Sequence, residues 1–213
     1  MTRETILSII LQTKIVAIIR LNNSAPVYHI AEALYEGGVK AIEVTMGTPN
    51  ALAEIKKLAK HPGILPGVGS VLDAATAEQA ILAGAEFIVT PVSKLEVIEM
   101  AHRYGKPILS GALTPKEILQ AYEWGADIVK LFPAATFGIP YFKAVRAPMP
   151  QIPIMPTGGI TLENAAEWIK NGAVCLGVGS TLVNEELIAD QDFKAITAIA
   201  KRLYNDAINL SFS

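Results

Sequence analysis

Two ionisable residues stand in runs where charge is costly. Lys130 sits near the C-terminal end of the apolar run Asp127-Ile128-Val129-Lys130-Leu131-Phe132-Pro133, and Glu43 lies inside Ala41-Ile42-Glu43-Val44-Thr45. Runs of this kind read as strands buried in a parallel sheet, where an ammonium or carboxylate must be paired, neutralised or used. Burial disfavours a charged amine and leaves more of the nucleophilic free base, whereas it makes a carboxyl hold its proton more tightly. The chemistry on offer is a lysine that attacks a carbonyl and an acid/base beside it. The opposing reading is structural, with Lys130 in an ion pair inside the protein and Glu43 as compensating charge for it or for Arg20.

Arg20 closes the run Ile15-Val16-Ala17-Ile18-Ile19. A guanidinium there can fork onto a substrate carboxylate, and an ordinary surface arginine is the alternative. Two glycine-rich turns, Pro156-Thr157-Gly158-Gly159-Ile160-Thr161 and Gly177-Val178-Gly179-Ser180-Thr181, offer backbone N–H groups to an anion. A third loop, Gly67-Val68-Gly69-Ser70, is expected after the third strand, with Ser70 as a donor toward the centre. Leu72 and Leu182 occupy the third glycine position of a dinucleotide-binding G-x-G-x-x-G, and there is no Walker loop and no G-x-S-x-G elbow. His29, His61 and His102 lack ligand spacing, so no metal is expected. Cys175, the only cysteine, falls in the strand-like Ala173-Val174-Cys175-Leu176 and reads as an inert core residue.

The elements that must hold these groups follow a rhythm. Four times a helical stretch ends in glycine and an apolar run follows within a residue or two, at Gly37-Gly38, Gly84, Gly125 and Gly172. Helix starts are expected at Ser24-Ala25-Pro26, at Thr48-Pro49 and at Thr114-Pro115-Lys116-Glu117, the last a capping box. Between the helices lie eight candidate strands, 15–19, 41–45, 64–68, 86–90, 107–110, 127–131, 153–157 and 173–177. The pattern predicts one α/β domain over 1–213, a (β/α)8 TIM barrel with an extra N-terminal helix covering its floor; a doubly wound open sheet is the alternative. Barrel chemistry gathers at the C-terminal strand ends, which puts Lys14, Lys40 and Lys106 at the bottom rim and Lys130 near the mouth. Strand alternation turns Glu43 inward with Ala41 and Thr45.

With 213 residues and a formal net charge of -2, the chain offers little to nucleic acid. The leading apolar stretch Ile6–Leu11 is too short to span a bilayer and no cleavage site follows it, so no membrane partner and a cytoplasmic location are expected.

These residues resemble a known family, the class I aldolases acting on 2-keto-3-deoxy-6-phosphogluconate, on 4-hydroxy-2-oxoglutarate and on 2-keto-3-deoxy-6-phosphogalactonate. The landmarks run in order through nearly the whole chain: Gly37-Gly38-Val39, Ile42-Glu43-Val44-Thr45, Gly67-Val68-Gly69-Ser70-Val71-Leu72, Val129-Lys130-Leu131-Phe132-Pro133-Ala134 and Pro156-Thr157-Gly158-Gly159-Ile160. The resemblance implies that Lys130 forms a Schiff base with pyruvate or the keto acid and that Glu43 moves the protons. It makes Ser70 a holder of the pyruvate carboxylate, has Thr157 line the pocket, and makes Pro91 and Phe132 apolar walls. Gly158, Gly159, Gly179 and Ser180 become the phosphate site. It also implies a homotrimer, and a covalent lysine imine in place of any cofactor. The common gluconate pattern has an arginine four residues after the glutamate, where this chain has Gly47; Arg20 is its substitute. Thr48-Pro49 and Phe137-Gly138-Ile139-Pro140-Tyr141 resemble the galactonate branch more closely.

The expected activity is therefore cleavage of 2-keto-3-deoxy-6-phosphogluconate to pyruvate and glyceraldehyde 3-phosphate. The galactonate and hydroxyglutarate series are its alternatives. Outside this class stand a phosphate-binding isomerase or epimerase, in which Lys130 only neutralises an anion, and a non-catalytic barrel that binds a phosphometabolite.

Overall fold

Branched residues dominate Ile15–Ile19, and this run forms the first strand, β1, of a parallel sheet. The structure, a computed structural model, describes residues 1–23 and 26–208. Seven further strands follow: β2 (Ala41–Thr45), β3 (Leu65–Gly69), β4 (Phe87–Val89), β5 (Ile108–Ala112), β6 (Ile128–Leu131), β7 (Ile154–Pro156) and β8 (Leu176–Val178). Each strand pairs with its sequence neighbour, and β1 pairs with β8. A parallel bridge between Thr157 and Gly177 joins the remaining edges, so the sheet closes into the expected barrel.

The leading helix α1 (Arg3–Thr13) turns Ile6 and Ile10 onto Val16, Ala41, Leu65, Phe87, Ile128, Met155 and Cys175, closing the barrel floor. Each large aliphatic side chain so buried contributes about 1.5–3 kcal/mol. Outside the barrel run α2 (Val27–Glu36), α3 (Ala51–Leu58), α4 (Ala74–Ala83), α5 (Leu95–Arg103), α6 (Pro115–Glu123), α7 (Gly138–Arg146), α8 (Ala165–Lys170), α9 (Glu185–Ala189) and α10 (Phe193–Ile208). The outward strand residues, such as Ile42, Val44, Val68, Ile88 and Val129, pack under them. At the bottom rim Arg3 Nε donates to Asp127 at 2.7 Å and Lys106 pairs with Glu86 at 2.6 Å.

Several expectations need correction. The eighth strand begins at Leu176 rather than 173, because Ala173–Cys175 are spent on the turn that follows Gly172. Cys175 nevertheless sits fully buried in the floor cluster, where loss of hydration pushes its thiol up to about 12. Gly69 lies inside β3 rather than in a loop after it, whereas Gly67 and Gly177 lie in strands, as the expected bounds 64–68 and 173–177 have them. The helix expected at Thr48-Pro49 starts at Ala51, with Asn50 as its cap residue in a left-handed conformation. The capping box at Thr114 and Glu117 forms as expected, whereas Ser24 and Ala25 lie outside the described residues.

Candidate active site

Register and pleat decide which side chains meet inside the barrel. Lys130 on β6 stands level with Gly111 on β5 and Met155 on β7, while Glu43 on β2 stands level with Ile18 on β1 and Gly67 on β3. Both point inward and both are buried, Lys130 to 6% exposure and Glu43 to 1%. Three inward glycines make space for neighbours: the Glu43 carboxyl lies where a Gly69 β-carbon would go, the Pro91 carbonyl takes that place at Gly111, and the Thr157 hydroxyl takes it at Gly177.

Above this layer, at the C-terminal strand ends, opens a cavity of about 380 Å³. Its wall includes Arg20, Ser70, Pro91, Lys130, Phe132, Thr157, Gly158, Gly159, Gly179 and Ser180, which is every residue singled out from the sequence except Glu43. Ile18, Ile160, Val183, Asn184 and Glu185 also line it and were not anticipated. Ile18 was within reach of the argument, since it shares strand parity with Arg20.

Arg20 is exposed, and its guanidinium donates to Ser70 Oγ at 3.3 Å. Ser70 adopts a left-handed backbone (φ 59°), a conformation that costs a non-glycine residue of order 1–3 kcal/mol and gathers at functional sites. The Lys130 ammonium position is 5.5 Å from the centre of the Phe132 ring. Among the described residues no carboxylate lies within ion-pair distance of Lys130, so the structural ion pair weighed as an alternative is not formed.

Burial pushes the Glu43 carboxyl above its ordinary range, against the opposing pull of Lys130 and then Arg20. Its Oε2 is buried without a hydrogen-bond partner, as is the hydroxyl of Thr157 on the cavity wall. Orphaned polar atoms of this kind are few in folded proteins, and among the described residues these two are the ones in the barrel interior at or beside the cavity. Gly158 and Gly159 both have positive φ, 92° and 73°, a backbone that lets their turn curl around the cavity edge. Arg20 and Lys130 are the lysine and arginine side chains on the wall, and Glu185 is the acidic one. Among the described residues no group of three His, Cys, Asp or Glu side chains has metal-binding geometry. No helix among them is long and apolar enough to cross a membrane.

Comparison with known proteins points one way. The family model described as "Aldolase: KDPG and KHG aldolase" matches residues 6–199. A 2-dehydro-3-deoxy-phosphogluconate aldolase of Treponema pallidum is 32% identical over 200 residues, 93% of this chain and 95% of that protein. A 2-dehydro-3-deoxy-6-phosphogalactonate aldolase of Escherichia coli is also 32% identical, over 92% of this chain and 98% of its own length. Among solved structures, the KDPG aldolase of Legionella pneumophila, with pyruvate captured as a covalent carbinolamine, superposes with a TM-score of 0.85 at 29% identity, covering 92% of this chain and 96% of that one.

Proposed function

Because the chain belongs to the KDPG and KHG aldolase family and is thereby a carbon–carbon lyase, we propose that it is a metal-independent class I aldolase. Its substrate in this reading is 2-keto-3-deoxy-6-phosphogluconate, cleaved to pyruvate and glyceraldehyde 3-phosphate. One observation carries the reading: a buried amine, Lys130, on the wall of a cavity that also holds Arg20, Ser70, Thr157 and the glycine turns.

Lys130 Nζ adds to the C2 ketone, and the carbinolamine loses water to give an iminium. The C4 hydroxyl then gives up its proton, the C3–C4 bond breaks, and its electrons pass to the iminium nitrogen, leaving an enamine and free glyceraldehyde 3-phosphate. C3 takes a proton, water returns to C2, and pyruvate departs as the amine is restored. The imine is the electron sink, so the chemistry calls for no cofactor. Glu43 moves these protons. Burial keeps it protonated further up the pH scale than an exposed carboxyl, which suits a group that must both give and take a proton near neutrality.

Arg20 and Ser70 hold the substrate carboxylate, Thr157 lends its unpaired hydroxyl to a substrate oxygen, and Pro91 and Phe132 exclude water. The backbone N–H groups around Gly158, Gly159, Gly179 and Ser180 receive the phosphate. We extend the proposal to a cytoplasmic homotrimer. Large apolar side chains left exposed, Leu72, Val92 and Phe137 among them, support burial against further copies.

The galactonate epimer is the second reading. Gly47 leaves open space with no atom within 4 Å of where its β-carbon would lie, and the galactonate-named relative is 32% identical, as is one of the gluconate-named relatives. A side-by-side assay of pyruvate release from the two phosphorylated epimers tests both. Faster turnover of the gluconate compound supports the first reading, faster turnover of the galactonate compound the second, and turnover of neither contradicts both.

A further inference from the structure

Thr48 does not cap α3, and its hydroxyl is committed elsewhere. The residue is 2% exposed, in the loop between β2 and α3, yet its contacts are with the end of β1. Thr48 Oγ1 accepts from the Leu21 backbone N–H at 3.2 Å and donates to the Ile19 carbonyl at 3.5 Å. It also meets Thr45 Oγ1 at 3.3 Å, and Thr45 is itself fully buried. With its own proton on the Ile19 carbonyl, Thr48 takes the Thr45 contact as acceptor, and one proton donated with two accepted fills the hydroxyl.

The two backbone groups it grips belong to the residues on either side of Arg20. That arginine lies beyond the last sheet pairing of β1, which ends at Ile19 opposite Val44, so the ladder no longer fixes its backbone. Its side chain is long, exposed and, among the described residues, held by a single hydrogen bond to Ser70. An arginine of that kind samples many rotamers, and fixing its backbone origin narrows the region its guanidinium can reach before any ligand arrives. We propose that Thr48 is a positioning residue: its hydroxyl clamps the backbone on both sides of Arg20 and so aims the guanidinium across the cavity at the substrate carboxylate. The inference rests on the reading of Arg20 as the carboxylate ligand.

The test compares wild type with Thr48→Val, Thr48→Ser, Arg20→Ala and the double variant Thr48→Val/Arg20→Ala. Two quantities are read: the pyruvate concentration that half-saturates borohydride trapping, and KM and kcat for the phosphorylated keto acid. Thr48→Val, nearly isosteric, raises the half-saturating pyruvate and KM roughly tenfold, the factor that about 1.4 kcal/mol represents, while kcat is kept. Thr48→Ser restores the wild-type values. In the Arg20→Ala background Thr48→Val adds nothing, because its effect passes through the guanidinium.

An unchanged KM in folded Thr48→Val, or a full further increase in the Arg20→Ala background, overturns the clamp while leaving the aldolase reading intact. If Arg20→Ala alone leaves pyruvate saturation unchanged, the carboxylate-ligand reading fails and the clamp fails with it. Should Thr48→Val not fold, Thr48→Ala set against Thr48→Ser gives the same comparison.

Discussion

The carboxyl group of Glu43 occupies the space that a β-carbon on Gly69 would fill, so this side chain and the third strand are fitted to each other at that point. Gly69→Ala drives a methyl into the Glu43 carboxyl and its Cγ, so the side chain must shift. Overpacking of this kind costs about 1–3 kcal/mol. The expected result is a folded protein with a lowered melting temperature and a kcat reduced by roughly 10²-fold, the scale of a misplaced acid/base. Steady-state kinetics beside a thermal melt check it. Wild-type kcat would mean that the carboxyl does not need this position.

Glu43→Gln separates the proposed catalytic role of this residue from its effect on stability. Burial raises the folded-state pKa of Glu43, so the native protein holds a proton that the unfolded chain has already released. Stability attributable to this residue is therefore greatest at low pH. It falls as pH rises from the ordinary carboxylate value to the raised one, by up to about 1.4 kcal/mol per pH unit. Gln abolishes that slope. Denaturant unfolding across the window should show a variant that gains on wild type as pH rises, even as its kcat drops roughly 10²–10⁴-fold. An equal pH dependence in both proteins would rule out the buried-carboxyl description.

Depth explains much of what could and could not be read from the amino-acid order. The branched runs Ile15–Ile19 and Ala41–Thr45 form strands with the expected bounds, and alternation is enough to turn Glu43 inward. How far it sits beneath the cavity floor is set by the register of β2 against β3, which no single run encodes. The same limit hid the meaning of Gly69, Gly111 and Gly177. A missing β-carbon is visible in the sequence, but the side chain or backbone that uses the room comes from another strand or loop. Ala173–Cys175 read as strand because they are apolar, yet apolarity reports burial alone: Val174 and Cys175 pack in the floor cluster with α1, and Ala173 in the outer core. Thr48 was read as a helix start for want of any local sign that its hydroxyl turns toward β1.

Gly177→Ala probes the opposite wall. A methyl at that position meets Thr157 Oγ1 and displaces the side chain toward the cavity. The account predicts a higher KM for the keto acid, by roughly 10-fold or about 1.4 kcal/mol, with borohydride trapping of pyruvate weakened in parallel. Thr157→Ser in the same background, lacking the methyl, should recover part of the loss. Unchanged binding in Gly177→Ala would remove Thr157 from the site.

The floor should respond differently from the mouth. Asp127, 4% exposed at its side chain, accepts from Arg3 Nε at 2.7 Å and from the Ile108 backbone N–H at 2.9 Å, far from the cavity wall. Asp127→Asn loses the charge that holds α1 over the floor and is expected to cost roughly 1–3 kcal/mol. Kinetic constants at 25 °C should stay at wild-type values. A selective fall in kcat without a fall in stability would contradict the division of labour between the two barrel ends.

The central claim is that the amine of Lys130 becomes covalently joined to the substrate ketone. Incubation with pyruvate and borohydride, followed by peptide mass analysis, reads that bond directly. The account predicts a pyruvate-sized mass increase, as the reduced amine, on the peptide containing Lys130, accompanied by loss of activity and absent from Lys130→Ala. An unmodified Lys130 peptide under conditions of full turnover, or an adduct that persists in Lys130→Ala, would contradict it.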